Sequence, residues 1–223
     1  MKYRLLTIIF GLLLAGTAQA SDNHSYKVTI TNLTKAQVFT PILVLSHRNG
    51  VHPFMAGEPA SDAFAALAEG GDIMPLQMMM SGNRKVVDIN SSEGLLEPGH
   101  TVTVFVDAPG RARRISLASM LIPTNDSFIG LNNVVAPRGR GKKTYWVPAY
   151  DAGSEPNDEL CVSIPGPVCG GEGGSPGAGG EGYVHVSSGI HGIGDLASDV
   201  YDWRNPVAKV VVQRVREEEP DED

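Results

Sequence analysis

Residues 26–31 alternate strictly, with Tyr26, Val28 and Ile30 on one side and Lys27, Thr29 and Thr31 on the other, before Asn32-Leu33-Thr34 closes the run. A period of two is that of a strand with one face buried. Residues 37–46 carry a more continuous apolar run, Val38, Phe39, Ile42, Leu43, Val44 and Leu45, with Pro41 inside it. That pattern predicts a strand at an edge or with a bulge, paired with the first. One helix is predicted, over residues 60–69. Ser61 or Asp62 can cap it, Phe64, Leu67 and Ala68 share a face, and Gly70-Gly71 stops it.

Further strands are predicted at residues 84–89, 100–107 and 115–122. The second is entered by Glu97-Pro98-Gly99, and the third is apolar enough to lie centrally. An aromatic run from Tyr145 ends at Asp151, residues 183–187 resume a strand, and residues 208–215 close the chain with Val210 and Val212 facing away from Val211. Short strands at this spacing predict an all-β antiparallel sandwich with one short helix in a loop insertion. About 200 residues are enough for a single such domain.

The ends of the chain read differently. Lys2 and Arg4 precede an apolar run that closes on Ala18-Gln19-Ala20, the small-x-small pattern cut by a signal peptidase. The run is shorter than the ~20 residues that span a bilayer, so residues 1–20 are expected to be an export signal rather than an anchor. The end, 217–223, carries six acids in seven residues and reads as a disordered, solvating tail. The domain expected between them is 21–216. Without Lys2 and Arg4, 16 basic residues face 25 acidic ones, a formal charge of −9. This speaks against a nucleic-acid partner, which needs a surplus of Lys and Arg. Cys161 and Cys169 are the two cysteines, and in an exported chain they are expected to pair. Residues 170–182 are glycine-rich and read as flexible chain. The basic turn Arg138-Gly139-Arg140-Gly141-Lys142-Lys143 is either a solvated hairpin loop or a contact for an anionic surface.

Candidate chemistry centres on residues 145–159. Asp151 ends the aromatic run, the chain turns through Gly153, and Glu155, Asp158 and Glu159 crowd the far side. Clustered carboxylates are either left in water or collect a cation. Asp126 sits just beyond the strand at 115–122 in the same manner. Asp195, Asp199 and Asp202 precede a loop anchored by Trp203. His185 and His191 have no third partner in sight and read as ordinary strand and loop residues. Gly173-Gly174-Ser175-Pro176-Gly177 formally matches Gly-x-Ser-x-Gly, but no apolar strand precedes it and no helix follows, so it is not read as a nucleophile elbow.

The stretch from Ser116 to Gly130, with its Pro123-Thr124-Asn125-Asp126 turn, resembles a segment of the spondin domain. Tyr150-Asp151-Ala152-Gly153-Ser154-Glu155 resembles that family's Asp-Ala-Gly-Thr-Asp loop, and residues 208–215 its closing strand. The resemblance spans roughly residues 25–216. It implies a β-sandwich similar to C2 domains, with one Ca²⁺ held by Asp126, Asp151 and Glu155, and Asp158 in reserve. Two positions depart from the pattern. Glu155 stands where the family usually has Asp, and the aromatic after Asp126 is displaced by one, to Phe128.

Two function classes follow. One is a non-enzymatic, calcium-stabilised binding or adhesion module, exported to the periplasm or beyond, monomeric, with an envelope or extracellular protein or glycan as ligand. The other is a secreted hydrolase or metalloenzyme. A site of carboxylates alone gives structure more readily than chemistry. Zinc is not expected, with neither thiolate nor imidazole at hand.

Overall fold

The computed structural model describes residues 24–174 and 179–216. The predicted export signal, the acidic tail, and Ser175, Pro176 and Gly177 of the Gly-x-Ser-x-Gly match lie outside the described residues. In chain order the elements are β1 (His24–Asn32), β2 (Val38–Phe39), β3 (Leu43–His47), α1 (Asp62–Gly70), α2 (Met74–Ser81), β4 (Val86–Ser91), β5 (Thr101–Asp107), β6 (Arg114–Ile122) and β7 (Ser127–Val135). There follow β8 (Lys142–Val147), β9 (Ala149–Asp151), β10 (His185–Val186), the single turn α3 (Ser198–Tyr201) and β11 (Ala208–Arg216). Two antiparallel sheets form an all-β sandwich. The smaller has the order β5-β1-β11-β8, and the larger β10-β9-β7-β6-β3-β4, with β2 also paired to β6.

The main core lies between the sheets. Tyr26, Val28 and Ile30 on β1 and Val210 and Val212 on β11 are fully buried against Ile115, Leu117 and Ile129 of the larger sheet. The alternate residues of β1 face outward, where Thr29 and Thr31 meet Thr103 and Thr101 across the strand pair. The period of two in residues 26–31 therefore means what it predicts, one dry face and one wet.

The middle of the larger sheet, β3, β6 and the first half of β7, is covered on both faces. Its second face buries Leu43, Leu45, Ala118 and Phe128 against Phe64, Leu67 and Ala68 of α1 and Leu76 and Met80 of α2. A strand dry on both sides has no polar face to alternate with, which is why β3 and β6 read as continuous apolar runs. At the centre of this second core the rings of Phe54, Phe64, Phe128 and Tyr150 pack with centroids 4.7–5.6 Å apart. Gly130 leaves room for them, since a Cβ there would lie 2.6 Å from the Phe54 ring.

Three expectations are corrected. The run at residues 37–46 does not pair with β1. It breaks around Pro41 into β2 and β3, both bonded to β6, and β3 is an inner strand between β6 and β4. The reason is burial: β1 carries a polar face and suits the sheet with a solvated side, whereas β3 suits the middle of the larger sheet, which is dry on both. A second helix, α2, went unread because its Met-rich sequence has no clear polar face. Met74 and Met78 are exposed although apolar. The predicted helix itself is α1, capped by Ser61 Oγ on the Phe64 N–H and ended by Gly71 in the left-handed conformation, but it is one wall of a core and more than a short helix in a loop insertion.

Phe64→Ala should cost about 3–5 kcal/mol by opening a cavity in the ring cluster, while Met78→Ala on the exposed side of α2 should stay within about 0.5 kcal/mol. Denaturant midpoints at unchanged slope would measure both. Equal losses would mean that the helical layer is not a core.

Candidate metal centre

The topology brings the predicted carboxylates to one end of the larger sheet. β9 pairs with β7 so that Asp151 stands opposite Ser127, immediately after Asp126, and the Ala152 N–H extends the ladder to the Asp126 carbonyl. Asp126, Asp151 and Glu155 are all buried, at 0, 1 and 1% exposure. Oδ2 of Asp126 accepts hydrogen bonds from the Ser154 and Glu155 N–H groups at 2.8 and 3.0 Å and from Ser154 Oγ at 3.3 Å. Oδ1 of Asp126 receives no donor from the protein.

Burial first, and then the charge of Asp151 beside it, push the Asp126 carboxyl from an ordinary 3.8 up to about 7, against the pull of the Glu155 and Ser154 N–H groups. Two carboxylates in contact in a dry site need a proton or a cation between them. In the metal-free chain the raised pKa lets a proton fill that role, and Asp126 Oδ1 is a buried oxygen without a donor inside an all-oxygen pair.

The surrounding loop is arranged by its polar groups. Gly153 has φ +65, and a Cβ there would fall 2.3 Å from the Tyr183 carbonyl, so only glycine fits the turn. Asp158, the reserve ligand, accepts from Asn125 Nδ2 at 3.1 Å and from the Leu160 N–H at 3.0 Å. Glu159 has a different task. Its buried carboxylate takes the backbone N–H groups of His191, Gly192 and Ile193 at 2.5, 2.7 and 2.9 Å, clamping one loop to another. The Cys161–Cys169 disulfide forms beside it, as expected of an exported pair.

The segment read as flexible is attached at several of its described residues. Gly171 and Glu172 donate to the Ile164 and Val162 carbonyls, Gly182 donates to Gly153, and a Cβ on Gly180 would lie 2.5 Å from the Gly153 carbonyl. Its glycines permit close backbone approach. This strap carries Glu181 to the site, and β10 follows it, pairing His185 directly opposite Asp151.

The reading of His185 as an ordinary strand residue, and of the site as lacking imidazole, is thereby corrected. His185 Nε2 lies 3.3 Å from Asp151 Oδ1 and 3.6 Å from Glu181 Oε2. Asp151, Glu181 and His185 have ligand atoms within 4.8 Å of one another and could hold a metal ion. Burial alone would lower the His185 pKa, but the Val186 carbonyl, Asp151 and Glu181 outweigh it and raise it. His191, in contrast, is exposed and enters the clamp only through its backbone. The missing signal was not in residue type, since the strand around His185 was expected. It was the pairing of that strand with β9, across 34 residues of chain.

Two packed antiparallel sheets with acidic loops gathered at one end define a β-sandwich module with a candidate cation site. A family model described as Spondin_N matches residues 23–155, more than half of the chain, and the chain belongs to the spondin N-terminal domain family. The match ends at Glu155, so it includes Asp126 and Asp151 but neither Glu181 nor His185. No curated protein matches the chain. The spondin domain and the disulfide mark an extracellular or exported type of protein. Among the described residues no helix is long and apolar enough to cross a membrane.

The raised pKa has a consequence for stability. Between about pH 4 and 7 the folded metal-free chain keeps the Asp126 proton while the unfolded chain has lost it, so the contribution of Asp126 to stability is greatest below this window and falls as pH rises through it. In chelator, the parent should lose stability across that range relative to Asp126→Asn, in denaturant midpoints taken at successive pH values. Parallel profiles would count against a buried, shifted carboxyl.

Proposed function

We propose that the chain is an exported, non-enzymatic binding or adhesion module in which Ca²⁺, held by Asp126, Asp151 and Glu155, fixes the loops at one end of the sandwich as a recognition surface. The observation that carries this reading is the buried Asp126 Oδ1 without a donor, in a carboxylate pair with Asp151. Oxygen-only donors suit a hard cation with an irregular shell, and Ca²⁺ tolerates such a shell better than Mg²⁺. The ligand of the module is an envelope or extracellular protein or glycan, bound by the monomer.

The hydrolase reading finds less support. A hydrolytic nucleophile must be reachable and activated by a base. Among the described residues the Ser–His side-chain hydrogen bond is that of Ser116 Oγ with His47 Nε2, at 2.9 Å, and both residues are fully buried. Ser187, in a cavity of about 320 Å³ beside Trp203 and Arg204, is bonded instead to Ser127 Oγ at 2.9 Å.

Ca²⁺ at about 100 times its dissociation constant should add ~2.7 kcal/mol, a rise of roughly 5–11 °C in Tm for a domain of this size. Thermal unfolding with calcium and with chelator measures it. Asp126→Ala and Asp151→Ala should respond little. Identical parent curves in the two conditions would remove the calcium reading.

A further inference from the structure

We propose that Asp151, Glu181 and His185 form a second metal site, selective for a borderline first-row ion of the Zn²⁺ type, beside the oxygen-only site and sharing Asp151 with it. Zinc ligands at about 2.0–2.1 Å in tetrahedral array stand roughly 3.3–3.4 Å apart. The His185 Nε2 separations of 3.3 Å to Asp151 Oδ1 and 3.6 Å to Glu181 Oε2 are close to that edge length.

The imidazole is also oriented for a metal. His185 Nδ1 lies 3.1 Å from the Val186 carbonyl, which can only accept, so Nδ1 carries the proton of the neutral ring and Nε2 presents its lone pair to the two carboxylates. Nε2 is closed to solvent and forms no aligned hydrogen bond with either of them. A backbone carbonyl on the far nitrogen is the outer-shell partner that metal-bound histidines use. The carboxylates are supported too. Asn157 Nδ2 donates to Asp151 Oδ2 at 2.9 Å and to Glu181 Oε1 at 3.3 Å, and the Gly153 N–H donates to Asp151 Oδ1 at 2.9 Å.

An independent sign comes from Asp126. This side chain is fully buried against Asp151 and its Oδ1 has no donor, so a further buried carboxylate stands beside the shared ligand. The nitrogen donor separates the two sites chemically, since imidazole suits Zn²⁺ and the hard-oxygen set suits Ca²⁺. With three protein ligands a tetrahedral ion keeps one position open. The Glu181 side chain is 39% exposed, so the group opens toward solvent on the side of that ligand.

The test uses the purified chain without a polyhistidine tag, stripped by chelator and titrated calorimetrically with Zn²⁺, with Co²⁺ absorption as a second readout of coordination. One Zn²⁺ per chain is expected. His185→Gln and Glu181→Gln should each weaken it by at least the roughly 10–100-fold that loss of an outer-shell partner costs, whereas His191→Ala should bind like the parent. Asp126→Asn should lose the calcium response and keep zinc, and Asp151→Asn should lose both. Absence of Zn²⁺ binding by the parent, or equal affinity in His185→Gln and His191→Ala, would overturn the proposal and leave His185 as an ion-paired side chain. A parent that binds zinc but ignores calcium would overturn only the calcium reading.

Discussion

Two carboxylates are buried against each other where β7 begins and β9 ends, and the loops at this end of the molecule are arranged around that repulsion. Neither Asp126 nor Asp151 is in contact with solvent, and folding must therefore gather donors or a counter-charge for both. Backbone amides of Ser154 and Glu155 supply part of this to Asp126, and Gly153, Asn157 and His185 surround Asp151. One oxygen of Asp126 is left over, and it is the most direct structural reason to place a cation here.

Such a site needs a rigid frame. The register of β7 with β9 is fixed from behind by Phe128 and Tyr150, whose stacked rings belong to the cluster with Phe54 and Phe64. The helical layer thus positions Asp151 one residue beyond Tyr150. On the other side, Glu159 binds three consecutive amides and the disulfide closes the adjoining loop. The glycine-rich strap lies against residues 153–155, close enough that side chains would be excluded.

Some of this was legible in the residues. The alternation of β1, the apolar β6 and the caps of α1 follow from patterns within ten or so neighbouring residues, whereas Asp126, Asp151 and Glu155 were joined as one set only by the resemblance to the spondin domain. The wrong partner for the run at residues 37–46 arose because an apolar strand records how much of it is buried and not which strand lies beside it. Glycine content was similarly ambiguous, because glycine serves both flexible chain and close backbone contact.

By itself the sequence determined the strand periodicities, the pair of cysteines that form the disulfide, and the carboxylates at strand ends, because each depends on local chemistry. Tertiary structure alone decided that the middle of the larger sheet is dry on both faces, that Glu159 is a clamp, and that Glu181 and His185 join Asp151. Those outcomes depend on strand pairing between segments far apart in the chain, and the free energy that selects a pairing comes from burial of whole faces, which no short stretch of residues carries alone.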